Sequence, residues 1–332
     1  MTIIRSIFKF QTVILIGIFS LLLSSCTEDF DLTEPWKDIP VMYAMLNRFD
    51  TAQYVRIEKA FVSEDLSAAE IAKNPDSLYY KSAKVTLVNK TANKSYIMTK
   101  VDASNENYMR HEGDFATTPN FLYKVKTKDI ILRGQDDIVI ELDRGDGSKI
   151  VSSQIKMIKD VRLYEADTFI RELGFDPTLN QTYTWLPGSD AQVFNFRLNI
   201  QVEERNSTDG SIVKKNFSTN ILSNGIEKNA TINGKVFYDL LSSNLTANPA
   251  ISRSILNVSL DLKSGSKELR DFLTIVNANT GLTASQEIPR YSNISEGFGI
   301  VYSTCFWIKN YSVSPKTINF LRTLDQTKNL NF

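Results

Sequence analysis

The run Ala191-Gln192-Val193-Phe194-Asn195-Phe196-Arg197-Leu198-Asn199-Ile200-Gln201-Val202-Glu203 sets Phe194, Phe196, Leu198, Ile200 and Val202 at every second position, with polar residues between them. Period two sends the apolar set to one face of an extended chain and the polar set to the other. A strand with one dry and one wet face belongs in an antiparallel sheet. The polar segment Glu204 to Gly210 then leads into Ser211 to Ile221, so the two runs are predicted to form a long hairpin with the five apolar side chains in the core.

The same alternation recurs on the N-terminal side. Ile39 to Leu46 and Tyr54 to Phe61 flank the turn-like Asn47-Arg48-Phe49-Asp50. Further strands are predicted at 83–89, 95–100, 121–125, 137–142 and 149–157, the last two joined by the polar hairpin turn Arg144-Gly145-Asp146-Gly147. Ser67 to Lys73 carries capping-box spacing (Ser67, Glu70) for a short helix that Asn74-Pro75 ends. After Ile158 come strands at 161–166, 191–203, 211–221 and 253–262, a helical turn at 237–241, and an amphipathic helix at 267–276, where Leu269, Phe272, Leu273 and Val276 share a face. Residues 298–308 and 311–320 are predicted as closing strands. The fold class is mainly β: two antiparallel β-sandwich-like (Ig-like) modules with a few short helices. The N-terminal β module spans 39–160 and the C-terminal β-sandwich module 161–332, with the boundary between 156 and 165.

The whole chain balances 38 basic against 38 acidic residues, and 42% of its 332 residues are hydrophobic. A neutral, apolar-rich chain folds, and it offers no general attraction to nucleic acid. His111 is the sole histidine, and the sequence carries no His-Glu-x-x-His, no Gly-x-Ser-x-Gly and no phosphate-cradling glycine loop. The chain is therefore expected to be noncatalytic, with no cofactor and no metal. Asp143-Arg144-Gly145-Asp146-Gly147-Ser148 imitates a calcium loop, yet glycines stand at its third and fifth positions, which favours a hairpin turn. Glu203-Glu204 and the pair Glu165 and Asp167 are carboxylates with nothing in the sequence to set them across a cleft. Cys305 lies in the strand-like Ile300 to Trp307 and reads as a buried, inert thiol.

At the N-terminus, Arg5 and Lys9 precede the apolar run Val13 to Leu23, which ends in Leu23-Ser24-Ser25-Cys26. A basic segment, a short apolar core and small residues are the parts of a secretory signal, and the core is too short for a membrane-spanning helix. Residues 1–25 are expected to be a signal peptide. Leu-Ser-Ser-Cys resembles a lipobox, which implies a covalent lipid on Cys26, the new N-terminus. By that resemblance three acyl chains would be attached, each buried CH₂ contributing about 0.8 kcal/mol. Residues 26–38 form an acidic tether in which Glu28, Asp29, Phe30 and Asp31 resemble the sorting signal that sends lipoproteins to the outer face of the outer membrane. The periplasmic face is the alternative. A Cys26→Ala change is expected to leave a folded body and release it from membranes, checked by fractionating cells that express each form.

Aromatic residues make up 11% of the chain, and four were candidates for a contact surface: Trp36, Tyr43, Tyr183 and Trp185. Tyr183-Thr184-Trp185-Leu186-Pro187-Gly188 sets a tryptophan beside a Pro-Gly turn, which fits an exposed loop that receives a sugar ring or a partner, or else a plug packed over a domain end.

The stretch Glu287-Ile288-Pro289-Arg290-Tyr291-Ser292-Asn293-Ile294-Ser295-Glu296-Gly297-Phe298-Gly299-Ile300-Val301, with its Asn-Ile, Gly-x-Gly and apolar strand, resembles a passage near the end of outer-membrane lipoproteins of the Bacteroidota grouped as a domain of unknown function (DUF4249). The resemblance implies two β-rich modules behind a lipid anchor and a place among surface lipoproteins, some of which sit on outer-membrane β-barrels. It supplies no catalytic residues. Physically, Gly297 and Gly299 allow a tight turn or a close approach to a neighbouring chain. The expected function is a noncatalytic, surface-exposed lipoprotein that binds membrane lipid through its anchor and an outer-membrane β-barrel protein through its loops. Surface glycan or peptide capture, or a structural and adhesive role, is the alternative.

Overall fold

In a computed structural model the chain is described over residues 39–60, 68–164, 171–278 and 290–332. The first half alternates short strands: β1 (Ile39–Leu46), β2 (Ala52–Ala60), β3 (Lys84–Asn89), β4 (Lys94–Asp102), β5 (Phe121–Lys126), β6 (Asp137–Asp143) and β7 (Val151–Lys156), with the short helices α1 (Ala68–Ala72) and α2 (Pro75–Leu78) after β2. The second half holds β8 (Arg162–Leu163), β9 (Glu172–Leu173), β10 (Asn180–Leu186), β11 (Val193–Asn206), β12 (Ile212–Gly225), β13 (Asn229–Asn233), α3 (Lys235–Asn244), β14 (Ile251–Gly265), α4 (Lys267–Ala278), β15 (Phe298–Val313) and α5 (Pro315–Thr323).

The fold is mainly β, built on a 12-stranded and a 3-stranded sheet. The large sheet runs β12-β11-β14-β15-β1-β2-β5-β4-β3-β6-β7, with β9 beside β15, and the small one runs β13-β10-β8. Every neighbouring pair is antiparallel except β1 with β15 and β9 with β15. The predicted hairpin is β11 and β12, and all five alternating side chains of β11 are buried.

Two cores form. One collects Met42, Leu46, Val55, Ile57, Leu87 and Ile138 with others from the first half, and it also takes Ile294 and Val301 from the far end of the chain. The other is sandwich-like: β8, β10 and β13 contribute Leu163, Trp185 and Ile232 against Phe196, Leu260 and Cys305 of β11, β14 and β15.

β15 links the two. Its residues 298–303 pair in parallel with 41–46 of β1, and residues 304–311 pair antiparallel with 258–265 of β14. The Asn-Ile-Ser-Glu-Gly-Phe-Gly segment supplies the geometry. The Asn293 amide donates to Val301 O at 2.7 Å and accepts from Val301 N at 3.0 Å, copying a strand neighbour. Ser295 N bonds Ser152 O at 2.8 Å, tying the segment to β7. Gly299, at φ +118°, lies so close to the backbone of Met42 that no Cβ fits. The expected close approach at Gly297 and Gly299 is thus met by the β1 backbone.

Three expectations change. Residues 311–320 are not a strand: β15 continues to Val313, and Ser314 then caps α5, with Pro315 at its first turn and Ser314 Oγ accepting from Thr317 N. The Tyr183 segment is strand β10, paired with β13 and β8, rather than a loop. Asn74-Pro75 does more than end a helix, because Asn74 Oδ1 accepts from Asp76 N and starts α2. The turn at Gly145 and Gly147 is as predicted, with Asp143 and Asp146 each accepting a backbone N–H two residues on.

Candidate functional site

β1 has large side chains on both faces, because Met42, Ala44 and Leu46 fill the core while Tyr43 and Met45 stand 45% and 50% exposed on the other side. The register fixes their neighbours. Tyr43 faces Ile300 of β15 and Arg56 of β2, and Met45 faces Tyr302. Helix α4 adds Leu269 and Phe272 from one side, and the 108–109 loop adds Tyr108 and Met109 from the other. Together they enclose an open, mostly apolar groove of about 540 Å³, a size ordinary for a ligand site.

α4 explains why the groove stays open. Its apolar residues share one stripe, yet none of its side chains is fully buried. Large exposed apolar patches on a folded chain mark interaction sites. Tyr108 and Met109 are 52% and 71% exposed, and the Tyr108 ring meets Tyr54 edge-on at 5.1 Å.

The polar groups at the rim are held by neighbours. Arg56 bonds Glu58 Oε1 at 3.0 Å and Asn120 Oδ1 at 2.8 Å, and Arg110 reaches the same Glu58 oxygen at 2.9 Å, which pins the 103–120 loop to β2. Burial pushes the Asp50 carboxyl above its ordinary value, with Lys263 opposing. Burial and the hydrogen bond to Glu106 raise the Tyr54 phenol, while bonds from Lys124 and Tyr54 hold Glu106 low. The arrangement presents shape and apolar surface bordered by fixed charges, which suits binding.

Of the residues singled out in the sequence, Cys26, Glu28, Asp29, Phe30, Asp31 and Trp36 lie outside the described residues, as do Glu165 and Asp167. Tyr183 and Trp185 are each 1% exposed, so neither can receive a sugar or a partner. Their rings pack against Phe194 and Phe196 at centroid distances of 5.6 Å, inside the core as part of a paired strand rather than as a loop plug over a domain end. Glu203 and Glu204 point to opposite faces of β11: Glu204 is buried against Arg253 and Lys215, so they form no cleft pair. Cys305 is buried, and burial raises its thiol pKa, which leaves it a poor nucleophile. His111 is exposed, and among the described residues no group of three or more His, Cys, Asp or Glu is placed to hold a metal.

Of the three aromatic candidates among the described residues, Tyr43 alone reaches the groove. Met45, Tyr54, Tyr108, Phe272 and Tyr302 were not anticipated, although apolar residues on both faces of β1 are a signal that its second face is not plain solvent. No protein-family model matches the chain, and comparison with curated proteins finds no match.

Proposed function

We propose that this chain is a noncatalytic lipoprotein of the bacterial outer membrane, anchored through lipid on Cys26, surface-exposed, and serving as a binding component of an envelope complex. It is read as a Bacteroidota lipoprotein of the DUF4249 type with two Ig-like sandwich modules meeting near residues 160–161. The single observation that carries the binding role is the groove between β1 and α4, where exposed tyrosines and methionines surround an open apolar volume. Tyrosine concentrates binding energy at interfaces, and methionine adapts to irregular partners. A lipid on Cys26 would keep the chain at the membrane, and the occupant proposed for the groove is an apolar loop of an outer-membrane β-barrel protein.

The test places a photo-crosslinking phenylalanine at Met45, and at Ile212 as a control with similar exposure, in the full chain in living cells. The expected result is a barrel protein captured from position 45 and absent from position 212. Equal capture from both positions, or none from 45, would remove the groove from the proposal. Tyr43→Ser with Met45→Asp is expected to lower capture at a nearby probe, Met109, about tenfold, with little change in Tm because both side chains are exposed.

A further inference from the structure

The solvent face of β12, β11, β14 and β15 is unlike an ordinary wet sheet face. The register sets Ser218, Asn199, Ser259 and Asn310 in one row across the four strands. The next row is Asn216, Gln201 and Asn257, and the row on the other side is Asn220, Arg197, Asp261 and Ile308. Asparagine is disfavoured in strands, on a scale that spans about 1 kcal/mol, while Thr, Lys and Glu would solvate the same face at smaller cost. Here amides occupy the middle of strands 14 and 15 residues long.

These side chains hold each other in place. Asn199 Nδ2 donates to Ser259 Oγ at 2.9 Å, and Ser259 Oγ donates to Asp261 Oδ1 at 2.9 Å. Gln201 Nε2 donates to Asn216 Oδ1 at 3.0 Å, Asn257 Nδ2 to Asn310 Oδ1 at 2.9 Å, and Arg197 Nε to Asn220 Oδ1 at 2.9 Å. An amide has two N–H donors and two acceptor sites. One bond each therefore fixes its orientation and leaves capacity for a ligand. Asn199, Gln201, Asn216, Asn257, Ser259 and Asp261 of these rows line a shallow recess of about 380 Å³, with the half-exposed Ile308 at its apolar border. Asp261 is the charged member of its lining, and Arg197 stands directly across from Asp261 on the neighbouring strand, so the three rows together are neutral.

We infer that this face binds a neutral polysaccharide. Preset donors and acceptors in rows about 7 Å apart along the strands match the hydroxyls of a sugar chain, and Ile308 matches the C–H face of a ring. Charge balance disfavours an anionic polymer. The site is separate from the groove beside β1 and does not depend on it.

The test is retardation of the full chain, in mild detergent, through native gels containing dextran, yeast mannan, hydroxyethyl cellulose or heparin. The expected result is retardation by at least one neutral polysaccharide and none by heparin. The variant is Asn199→Thr with Asn216→Thr and Asn257→Thr, which exchanges amides for better strand formers. It is expected to weaken retardation about tenfold or more with Tm kept or raised. No retardation by any neutral polymer, preference for heparin, or retardation unchanged in the triple variant would overturn the inference. A fall in Tm that accompanies the loss would assign the amides to the fold and overturn it equally.

Discussion

Gly299→Val is expected to remove most of the protein's stability, seen as a chain that is largely insoluble or unfolds in dilute urea. The residue sits at φ +118°, a region L-residues rarely occupy, and a side chain there would run into the carbonyl and nitrogen of Met42. Backbone strain of that kind costs about 1–3 kcal/mol. The clash adds to it, because Met42 is 0% exposed in the middle of β1 and cannot retreat without opening the pairing from Val41 to Leu46. A combined loss above roughly 4 kcal/mol consumes much of the 5–15 kcal/mol that holds a typical domain together. Gly210→Ala is the comparison: its φ is +73°, but nothing lies within 4 Å of the added carbon. It is expected to cost about 1–2 kcal/mol. Equal, mild effects of the two substitutions would mean that the backbones of β1 and β15 do not meet so closely.

Arg253→Ala is the second large effect. The guanidinium is buried and bonds Glu204 Oε1 at 2.8 Å, Leu330 O at 2.6 Å and Thr246 O at 3.0 Å, so it fastens the chain's last residues to β14 and β11. Its removal leaves Glu204 with Lys215 alone and takes the donor from Glu204 Oε1, Leu330 O and Thr246 O, a loss of about 3–5 kcal/mol. Arg253→Met with Glu204→Leu is expected to recover a good part of that loss, since neither charge then remains buried. The pair also sets an acid response. Burial pushes the Glu204 carboxyl up, but bonds from Lys215 and Arg253 outweigh burial and hold it below its ordinary 4.5. A carboxyl depressed on folding stabilises the protein above its unfolded pKa and ceases to as pH falls through the folded value. Urea midpoints of the wild type should therefore drop as pH is lowered below 4.5, and the drop should be shallower in Arg253→Ala. Parallel curves would deny Glu204 this role.

The strands were legible where alternation was strict. Phe194 to Val202 announces β11, and Gly145 and Gly147 announce the turn before β7, because a single face or a single dihedral decides each. β10 was hidden by its neighbours. Thr182, Tyr183, Thr184 and Trp185 alternate well, but Pro187-Gly188 beside them looks like a loop, and burial on the second face depends on β11 from elsewhere in the chain. The end of β15 is set by Ser314-Pro315, a cap and first turn that start α5 where the apolar pattern alone suggests more strand. The groove leaves one local trace, the apolar residues on both faces of β1. Tyr43, Tyr54, Tyr302 and Phe272 belong to four elements, and only the parallel pairing of β1 with β15 brings them together.

That pairing also governs how the molecule can be made. Val41 and Phe298 are neighbours in space but roughly 250 residues apart along the chain, a separation that slows folding. Synthesis delivers β1 first, and one of its edges stays bare until β15 arrives. During that interval Met42, Ala44 and Leu46 lack their final cover, so the nascent protein is open to proteolysis and to pairing with other unfinished chains. A chain cut short anywhere before position 298 lacks that cover altogether, so it is expected to be cleared as a fragment rather than kept as a smaller working module.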